Sequence, residues 1–309
     1  METLLQTFLL ATGFLLLVKG ADWFVGGASG LAARFGIPQI IIGLTVVAMG
    51  TSMPEAAVSI SAALKGNADI TTGNILGSNI LNILLILGLS AAITPLSVAK
   101  TTIRCEMPFL ICITALYFIQ GLDGAVSFAD GTIQLLLFTV YFIYLLFMAK
   151  KGAGQDSEIR KPPKLLYTLF STVAGLACII MGSNMAVDAA SSIASILGMS
   201  ERFIGLTIIA IGTSLPELVT SVAAARKGNP DIAIGNVVGS NIFNILFVIG
   251  ISSLITPVPF APAFRFDNLT ALAAAVFLLV CCAGSEKLKR IHGAAMLLGY
   301  AVYFIFLLK

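Results

Sequence analysis

An internal repeat constrains the fold of this chain more than any other feature of its sequence. When the sequence is shifted by 162 positions, residues 36–95 align with residues 198–257 without a gap, and 33 of the 60 positions are identical. Each copy carries the motif Gly-Thr-Ser-x-Pro-Glu, at 50–55 and 212–217, and then Gly-Ser-Asn-x-x-Asn, at 77–82 and 239–244. We therefore expect two structurally equivalent halves.

The hydropathy of the chain indicates that these halves fold in lipid. Hydrophobic residues make up 58% of the 309 residues and charged residues 11%, with a mean hydropathy of +1.01. In a soluble domain, apolar residues average about 45–50% and charged residues about 25%. Apolar stretches long enough to cross a hydrocarbon core of about 30 Å as helices recur along the chain, without the alternation of a β-barrel. The sequence predicts an all-α integral membrane protein with ten transmembrane helices, near residues 4–32, 37–64, 70–93, 104–121, 129–149, 165–193, 198–225, 231–254, 267–283 and 290–308.

The repeat predicts that the two halves have opposite orientations in the membrane. Each half holds five helices, and because five is odd, the second half enters from the opposite side, as in many secondary transporters. We predict one five-helix repeat in 1–149, a cytoplasmic linker rich in Gly, Pro and charge in 150–164, and a second repeat in 165–309. The helices at 4–32, 37–64 and 165–193 exceed the length of a perpendicular span and are expected to tilt, bend or break.

The basic residues predict the sidedness. We call the face that holds the N-terminus side A and the opposite face side B. The loops of side A collect four cations: Lys65, Arg202, Arg265 and Lys309. Those of side B collect thirteen: Arg34, Lys100, Arg104, Lys150, Lys151, Arg160, Lys161, Lys164, Arg226, Lys227, Lys287, Lys289 and Arg290. The positive-inside rule then places side B in the cytoplasm and both termini outside the cell membrane. Nine or eleven helices with a different sidedness is the alternative.

Several classes of protein are excluded by the same sequence. The net charge of +3 and the lack of a basic patch with interleaved aromatic residues exclude a nucleic-acid partner. No Ser/His, Ser/Lys or paired-Asp arrangement lies at membrane depth, so we expect no enzyme. The five cysteines match no zinc or haem spacing and are interpreted as small core hydrophobes. No cofactor and no obligatory protein partner is expected.

Two glutamates lie where a carboxylate is costly. Glu55 and Glu217 fall near the middle of their predicted helices, where a lone carboxylate costs about 2.5–3.5 kcal/mol. The proline before each glutamate has no N–H group, so the carbonyls four residues back, at Gly50 and Gly212, are expected to be free. Four hydroxyls beside the break add oxygens: Thr51, Ser52, Thr213 and Ser214. A structural role for two protonated glutamates would not explain why both halves carry the same costly group.

The next helix of each half supplies more oxygen ligands. Ser78 and Asn82, like Ser240 and Asn244, lie four residues apart on one helix face. Carboxylate, hydroxyl, amide and carbonyl oxygens form the ligand set of a hard cation such as Ca²⁺, whereas soft metals require Cys or His. A ligand role and a helix-packing role both remain open for a further set of residues: Asn74, Asn79, Asn236 and Asn241.

Four polar residues lie toward the ends of the first and sixth helices: Lys19, Asp22, Asn184 and Asp188. They are not expected to be ligands. We expect these side chains to extend toward the membrane surface or to line an access path.

The paired motifs, Gly-Thr-Ser-x-Pro-Glu and Gly-Ser-Asn-x-x-Asn, resemble the alpha-repeats of the cation/calcium exchanger superfamily, particularly those of the prokaryotic sodium/calcium exchangers. The resemblance covers both halves. It implies a central diamond of four sites, shared by one calcium or several sodium ions, and long first and sixth helices that slide across the core to switch access.

The resemblance also implies a ligand set, position by position. Calcium would bind the side chains of Glu55 and Glu217 and the carbonyls of Thr51 and Thr213. Sodium would use the same carboxylates with the remaining groups, which are Ser52, Ser78, Ser214, Ser240 and the carbonyls of Ala48 and Ala210. Asn82 and Asn244 would complete the centre. Some relatives carry an aspartate at the position of Asn244, and potassium-dependent members use an acid there, so potassium co-transport is not expected.

The resulting prediction is a secondary active antiporter that exchanges Na⁺ for Ca²⁺ across the bilayer by alternating access and normally extrudes Ca²⁺. Antiport of H⁺ for Ca²⁺ or another divalent cation on the same scaffold is the alternative, since either glutamate could carry a proton. A cation channel would show one continuous pore and no need for a counter-ion, and the inverted repeat argues against it.

Overall fold

A computed structural model describes residues 2–152, 164–197 and 210–307 of the chain. The helices in chain order are α1 Glu2–Phe35, α2 Gln39–Thr51 and Met53–Leu64, α3 Ile70–Ile93, α4 Thr102–Asp123, α5 Phe128–Gly152, α6 Leu165–Ile196, α7 Ala210–Thr213 and Leu215–Arg226, α8 Pro230–Ile255, α9 Phe264–Ala283, and α10 Arg290–Leu307. Short strands lie in four loops: β1 Leu96–Ser97, β2 Ala125–Val126, β3 Val258–Pro259 and β4 Lys287–Leu288.

Most of these helices are long and apolar enough to cross a membrane. Within the described ranges eight qualify singly, and a ninth when the two segments of α2 count as one span. The start of the tenth, α7, falls in 198–209, outside the described residues. The chain is an all-α integral membrane protein with ten transmembrane helices in two inverted five-helix repeats, as predicted.

The pairing of the four short strands follows the inverted symmetry of the two halves. β1 pairs with β4, with Leu96 opposite Leu288, and β2 pairs with β3, with Val126 opposite Val258. The 162-residue shift relates β1 to β3 and β2 to β4, so each pair joins a strand of one half to a strand of the other. The loops after α3 and α9 therefore share side B, and the loops after α4 and α8 share side A.

Helices α3 and α8 form the centre of the fold. In the most apolar stretch of each helix, 78% of α3 and 94% of α8 are buried, against 17% of α5 and of α10. Since these two central helices carry the Gly-Ser-Asn motifs, the polar residues of both halves lie deep in the protein. The apolar surfaces of α5 and α10 face outward, where lipid replaces water as the solvent.

Helices α1 and α6 cross each other at very short range. A Cβ atom added to Gly20 would lie 2.8 Å from the carbonyl oxygen of Gly175, and one added to Gly182 would lie 2.7 Å from that of Gly13. Small residues at such crossings let helix backbones approach closely in membranes. We call these four residues the glycine seam; it joins α1 and α6, which have 34 and 32 residues, into one tightly packed unit.

The prediction that overlong helices bend holds for α2, whose two segments meet at 49°. The interpretation of the cysteines as core residues was wrong for two of them. Cys105 and Cys112 are exposed, and only Cys282 is buried. A free cysteine behaves as a small apolar side chain, and in a membrane protein lipid solvates such a group as well as a core does. Burial therefore cannot be predicted from apolarity here.

Candidate functional site

Two helix breaks position the glutamates. The backbone leaves helical geometry at Ser52 (φ −81°, ψ 6°) and at Ser214 (φ −93°, ψ 6°), and a proline follows within the first turn of the next segment, where its missing N–H group costs least. Glu55 and Glu217 lie in that same turn and are 1% and 0% exposed. Both carboxylates therefore lie in the protein interior.

Each glutamate is bonded by a serine of the other half. The Ser52 hydroxyl donates to Oε1 of Glu217 over 2.8 Å, and the Ser214 hydroxyl lies 3.1 Å from Oε1 of Glu55. The Ser214 hydroxyl also lies 3.3 Å from that of Ser78 on α3. These two crossed contacts obey the pseudo-two-fold symmetry of the repeat. The site is therefore built between the halves, and neither half contains it alone.

Four asparagines on α3 and α8 bond across the same axis. The Asn82 amide donates to Oδ1 of Asn241 over 2.9 Å, and the Asn244 amide donates to Oδ1 of Asn79 over 3.1 Å. The amides of Asn79 and Asn241 donate in turn to each other's backbone carbonyl, over 3.4 and 3.1 Å. A widened π-helical turn begins at Asn82 and another at Asn244, a distortion common at functional sites. Asn79 and Asn241 thus orient the two asparagines predicted as ligands.

Four buried oxygens in this network have no hydrogen-bond donor among the described residues. They are Oε2 of Glu55, Oε2 of Glu217, Oδ1 of Asn82 and Oδ1 of Asn244. Carboxylate and amide oxygens act only as acceptors, and a buried acceptor without a partner is costly. Neither glutamate takes part in the ion pairs that join Lys100 to Glu286 and Lys227 to Asp22. Such a set of oxygens suits a hard cation.

The remaining predicted ligands fall around this centre. The Thr51 hydroxyl lies 3.0 Å from Oδ1 of Asn236, and the Ser240 hydroxyl donates to the carbonyl of Ala48 over 3.4 Å. Thr213 lines a cavity described below. Ala210 is the first described residue of α7, and its side chain lies outside the described part. The ligand roles of all these residues stay predictions.

Asn74 and Asn236 have a packing function. Each donates over 2.9 Å to a serine on the preceding helix, Ser59 or Ser221, and over 3.3 Å to the backbone carbonyl of the glutamate in its own half. These bonds fix α3 to α2 and α8 to α7 next to each carboxylate. Sequence reasoning missed the two serines, although their identity in both copies of the repeat was the available signal.

The expectation that both carbonyls before the breaks are free was wrong for Gly212. Its carbonyl accepts a hydrogen bond of 2.9 Å from the Ser183 hydroxyl on α6. The corresponding position on α1 is Ala21, which has no donor, so the halves differ here. A carbonyl released by proline takes any donor that a neighbouring helix offers.

A cavity of about 430 Å³ separates α6 from the second segment of α2. Its walls include Met53, Pro54, Ala57, Val58, Ile180, Ser183, Asn184, Val187, Asp188, Gly212 and Thr213. The lining reaches from the breaks at Pro54 and Gly212 to Asp188, in the part of α6 that runs toward side A, so the cavity lies beside Glu55 in the side-A half of the protein. Asn184 and Asp188 line it, whereas Asp22 forms an ion pair on side B, and an access role for these residues stays a prediction.

Comparison with known proteins gives consistent matches over both halves. The family model for sodium/calcium exchanger protein matches residues 5–149 and 167–309. The putative antiporter CaxA of Alkalimonas amylolytica is 41% identical over 311 residues, which cover 97% of this chain and 98% of CaxA. The sodium/calcium exchanger MaX1 of Methanosarcina acetivorans is 31% identical over 340 residues, 97% of each chain.

A solved structure is similar over the whole chain. The sodium-calcium exchanger NCX_Mj, soaked without Na⁺ and Ca²⁺, has a TM-score of 0.87 and 33% identity, with 99% of both chains covered. The same protein soaked with 10 mM Na⁺ and 10 mM Sr²⁺ gives a TM-score of 0.86 with 34% identity.

Proposed function

Because this chain belongs to the sodium/calcium exchanger protein family, we propose that it is a secondary active antiporter that exchanges Na⁺ for Ca²⁺ by alternating access. The observation that carries the proposal is the set of four buried acceptor oxygens, on Glu55, Glu217, Asn82 and Asn244, that have no donor among the described residues. Oxygens of this kind bind Ca²⁺ and Na⁺ and do not select soft metals.

The charge of the site accounts for competition between the two ions. Two ionised glutamates neutralise one Ca²⁺, so the loaded site carries no net charge. Three Na⁺ ions at the same carboxylates would leave one positive charge. Exchange of three Na⁺ for one Ca²⁺ therefore moves one net charge, worth about 2.3 kcal/mol per 100 mV of membrane potential, and drives Ca²⁺ out of the cell.

The proposed ligands follow the prediction from sequence. Ca²⁺ binds the carboxylates of Glu55 and Glu217 and the carbonyls of Thr51 and Thr213. Na⁺ uses the two carboxylates with the serine hydroxyls and the carbonyls of Ala48 and Ala210. Support comes from Ser52, Ser214 and Ser78, whose hydroxyls already contact the carboxylates or one another.

The cavity suggests how ions reach the site. It lies in the side-A half of the protein, while the path along α1 on side B is occupied by a polar contact between Lys227 and Asp22. We assign side B to the cytoplasm of a cell membrane on the excess of basic residues there. The described conformation is then outward-facing, with both termini outside.

Antiport of H⁺ for Ca²⁺ is the second candidate. Two buried carboxylates without a basic partner in the described ranges can be neutralised by protons as well as by Na⁺. The serine hydroxyls on both carboxylates favour Na⁺, because a hydroxyl oxygen is a ligand for Na⁺.

Proteoliposomes loaded with Na⁺ and diluted into Na⁺-free medium containing radiolabelled Ca²⁺ test the proposal. Uptake that needs internal Na⁺ and disappears in Glu55→Gln and Glu217→Gln is the expected result. Glu106→Gln is the matched control, since Glu106 is also buried in a membrane helix but bonds Tyr144, outside the site. Uptake driven equally by an outward proton gradient would establish the second candidate, and flux without any counter-ion would exclude both.

A further inference from the structure

A polar contact closes side B between α1 and the turn that joins α7 to α8. Lys227 lies with Nζ 3.1 Å from Oδ1 of Asp22 and 2.5 Å from its backbone carbonyl. Asn229, two residues further on, donates to the Ser29 hydroxyl over 3.2 Å. Helix α1 also packs along the second segment of α7. We call these four residues the side-B latch.

The repeat places an equivalent set of residues on side A. The 162-residue shift relates Lys227 to Lys65, Asn229 to Asn67, Asp22 to Asn184 and Ser29 to Ser191. The two turns have the same backbone geometry. Gly66 and Gly228 have φ of +76° and +73°, and Asn67 and Asn229 each donate their backbone N–H over 2.9 Å to a carbonyl five residues back. Both turns are therefore built to make the same contact.

On side A this contact is not made. Within the described ranges, no hydrogen bond or ion pair joins the side chain of Lys65 or Asn67 to α6, and the buried Ser191 hydroxyl has no partner. The cavity of about 430 Å³ lies between α6 and the second segment of α2, and of the side-A set Asn184 lines it. The two halves thus have latch residues at equivalent positions, identical except for Asp22 and Asn184, and differ in whether the latch is closed.

We propose that the two latches close alternately and set which side of the membrane the ion site faces. When side A closes, Lys65 bonds the side chain and carbonyl of Asn184, and Asn67 bonds Ser191, while the side-B latch opens. This inference rests on the alternating access of the proposed function. The glycine seam supplies the coupling, because α1 and α6 pack too tightly to move separately, so that α1 leaves α7 as α6 reaches α2.

One difference between the latches biases the equilibrium. Side B pairs Lys227 with a carboxylate, Asp22, whereas side A offers Lys65 only the neutral amide of Asn184. An ion pair at a partly exposed site is worth more than a contact with an amide, by a small amount. We infer that the protein without ions rests with side B closed and side A open, and that Lys227 and Lys65 are positioning residues rather than ligands.

Accessibility of a cysteine in the cavity measures this equilibrium without transport. The reporter is Val58→Cys, in protein whose five native cysteines are replaced, labelled in nanodiscs by a membrane-impermeant thiol reagent. Asn184→Asp gives side A its missing carboxylate and is expected to slow labelling about two- to fivefold. Lys227→Met weakens the side-B latch and should slow labelling similarly, whereas Lys227→Arg, which keeps the charge, should leave the rate unchanged.

The double variant Lys65→Met with Asn184→Asp identifies the cause. If the new carboxylate acts through Lys65, removal of that lysine restores the original labelling rate. Slowing that persists in the double variant would mean that the added charge merely lowers the reactivity of the thiol, and the latch would be rejected. An unchanged rate in Asn184→Asp, in protein that elutes as a monodisperse peak, would reject it as well.

Cross-linking tests the closed form of side A directly. Asn67→Cys with Ser191→Cys should be joined by a short bifunctional thiol reagent only in molecules that have closed side A, and Lys227→Met should increase the yield. Asn229→Cys with Ser29→Cys is the matched pair, expected to cross-link in the conformation described here. Failure of the side-A pair in protein that still transports would overturn the latch. A wrong assignment of the transported ions would instead leave all labelling and cross-linking results as expected and change only the flux experiment.

Discussion

The hydroxyl of Ser52 donates to the carboxylate of Glu217 over 2.8 Å, although 165 residues separate the two along the chain, and it does not bond Glu55 three residues away. The mirror contact joins Ser214 to Glu55 over 3.1 Å. Each serine thus holds the carboxylate of the opposite half. A substitution of the serine at one helix break therefore removes a hydrogen bond from the glutamate of the other half.

Ser52→Ala should weaken Na⁺ binding. A hydrogen bond to a charged group contributes about 1.5–3 kcal/mol, so its loss should raise the Na⁺ concentration for half-maximal exchange about tenfold or more. Ser90→Ala is the control, because Ser90 is equally buried on α3 and its hydroxyl has no partner in the described ranges. Equal effects of the two substitutions on Na⁺-dependent Ca²⁺ uptake would refute a specific role for Ser52.

Asn241→Ala should weaken binding of both ions without removing a ligand. Without the Asn241 oxygen that accepts its amide hydrogen, Asn82 can rotate and its own oxygen is no longer held in place. Loss of a residue that orients a metal ligand typically lowers affinity about 10- to 100-fold, which calorimetric Ca²⁺ titration of the purified protein would detect.

Asn268→Ala is the comparison for that experiment. Asn268 on α9 is also fully buried, but its side-chain atoms have no hydrogen-bond partner in the described part of the chain. Its loss should leave the Ca²⁺ affinity unchanged. A similar drop in both variants would mean that burial of an amide, and not orientation of Asn82, explains the effect.

The glycine seam predicts opposite outcomes for the same substitution at two positions of α1. Gly20→Ala would place a Cβ 2.8 Å from the Gly175 carbonyl, and such overpacking costs about 1–3 kcal/mol. A Cβ on Gly26 meets nothing within 4 Å, so Gly26→Ala should be neutral or stabilise the helix by up to about 1 kcal/mol. Thermal unfolding in detergent should rank the variants accordingly, and a Gly20→Ala protein as stable as the wild type would show that the seam can relax.

The cavity predicts a difference in reactivity between two symmetry-related positions. Val58 lines the cavity and is 43% exposed, whereas Thr220, its counterpart on α7, is 0% exposed. In cysteine-free protein, Val58→Cys should react with an impermeant thiol reagent at least about tenfold faster than Thr220→Cys, since a buried thiol is largely unreactive. Equal rates would mean that both sides are open to solvent in similar measure.

The sequence singled out the candidate site residues, because the repeat marks them twice. Glu55, Glu217, Asn82 and Asn244 were identified from their motifs and lie together in the interior. The helix count and the bend of α2 also followed from length and proline position, and the polarity of Asn184 agrees with its place in the cavity wall.

Two features could not be predicted, for physical reasons. Sequence spacing does not say whether a serine bonds its own glutamate or that of the other half, because this depends on how the helices cross. Nor does a symmetric pair of motifs reveal which side is open, since two nearly identical halves permit two nearly equal conformations. Which conformation is favoured depends on small differences between the halves, such as the carboxylate of Asp22 at the position where the second half has the amide of Asn184.

The pairing of strands from different halves has a consequence for biosynthesis. Leu96 lies in the third loop to leave the ribosome, yet its partner Leu288 is made only after nine helices have been synthesised. During synthesis, the first half therefore lies in the membrane with β1 unpaired on side B. Until α7 is made, Glu55 also lacks its contact with the Ser214 hydroxyl. A chain truncated before β4 would contain every proposed ligand, but β1 would lack the strand that pairs with it.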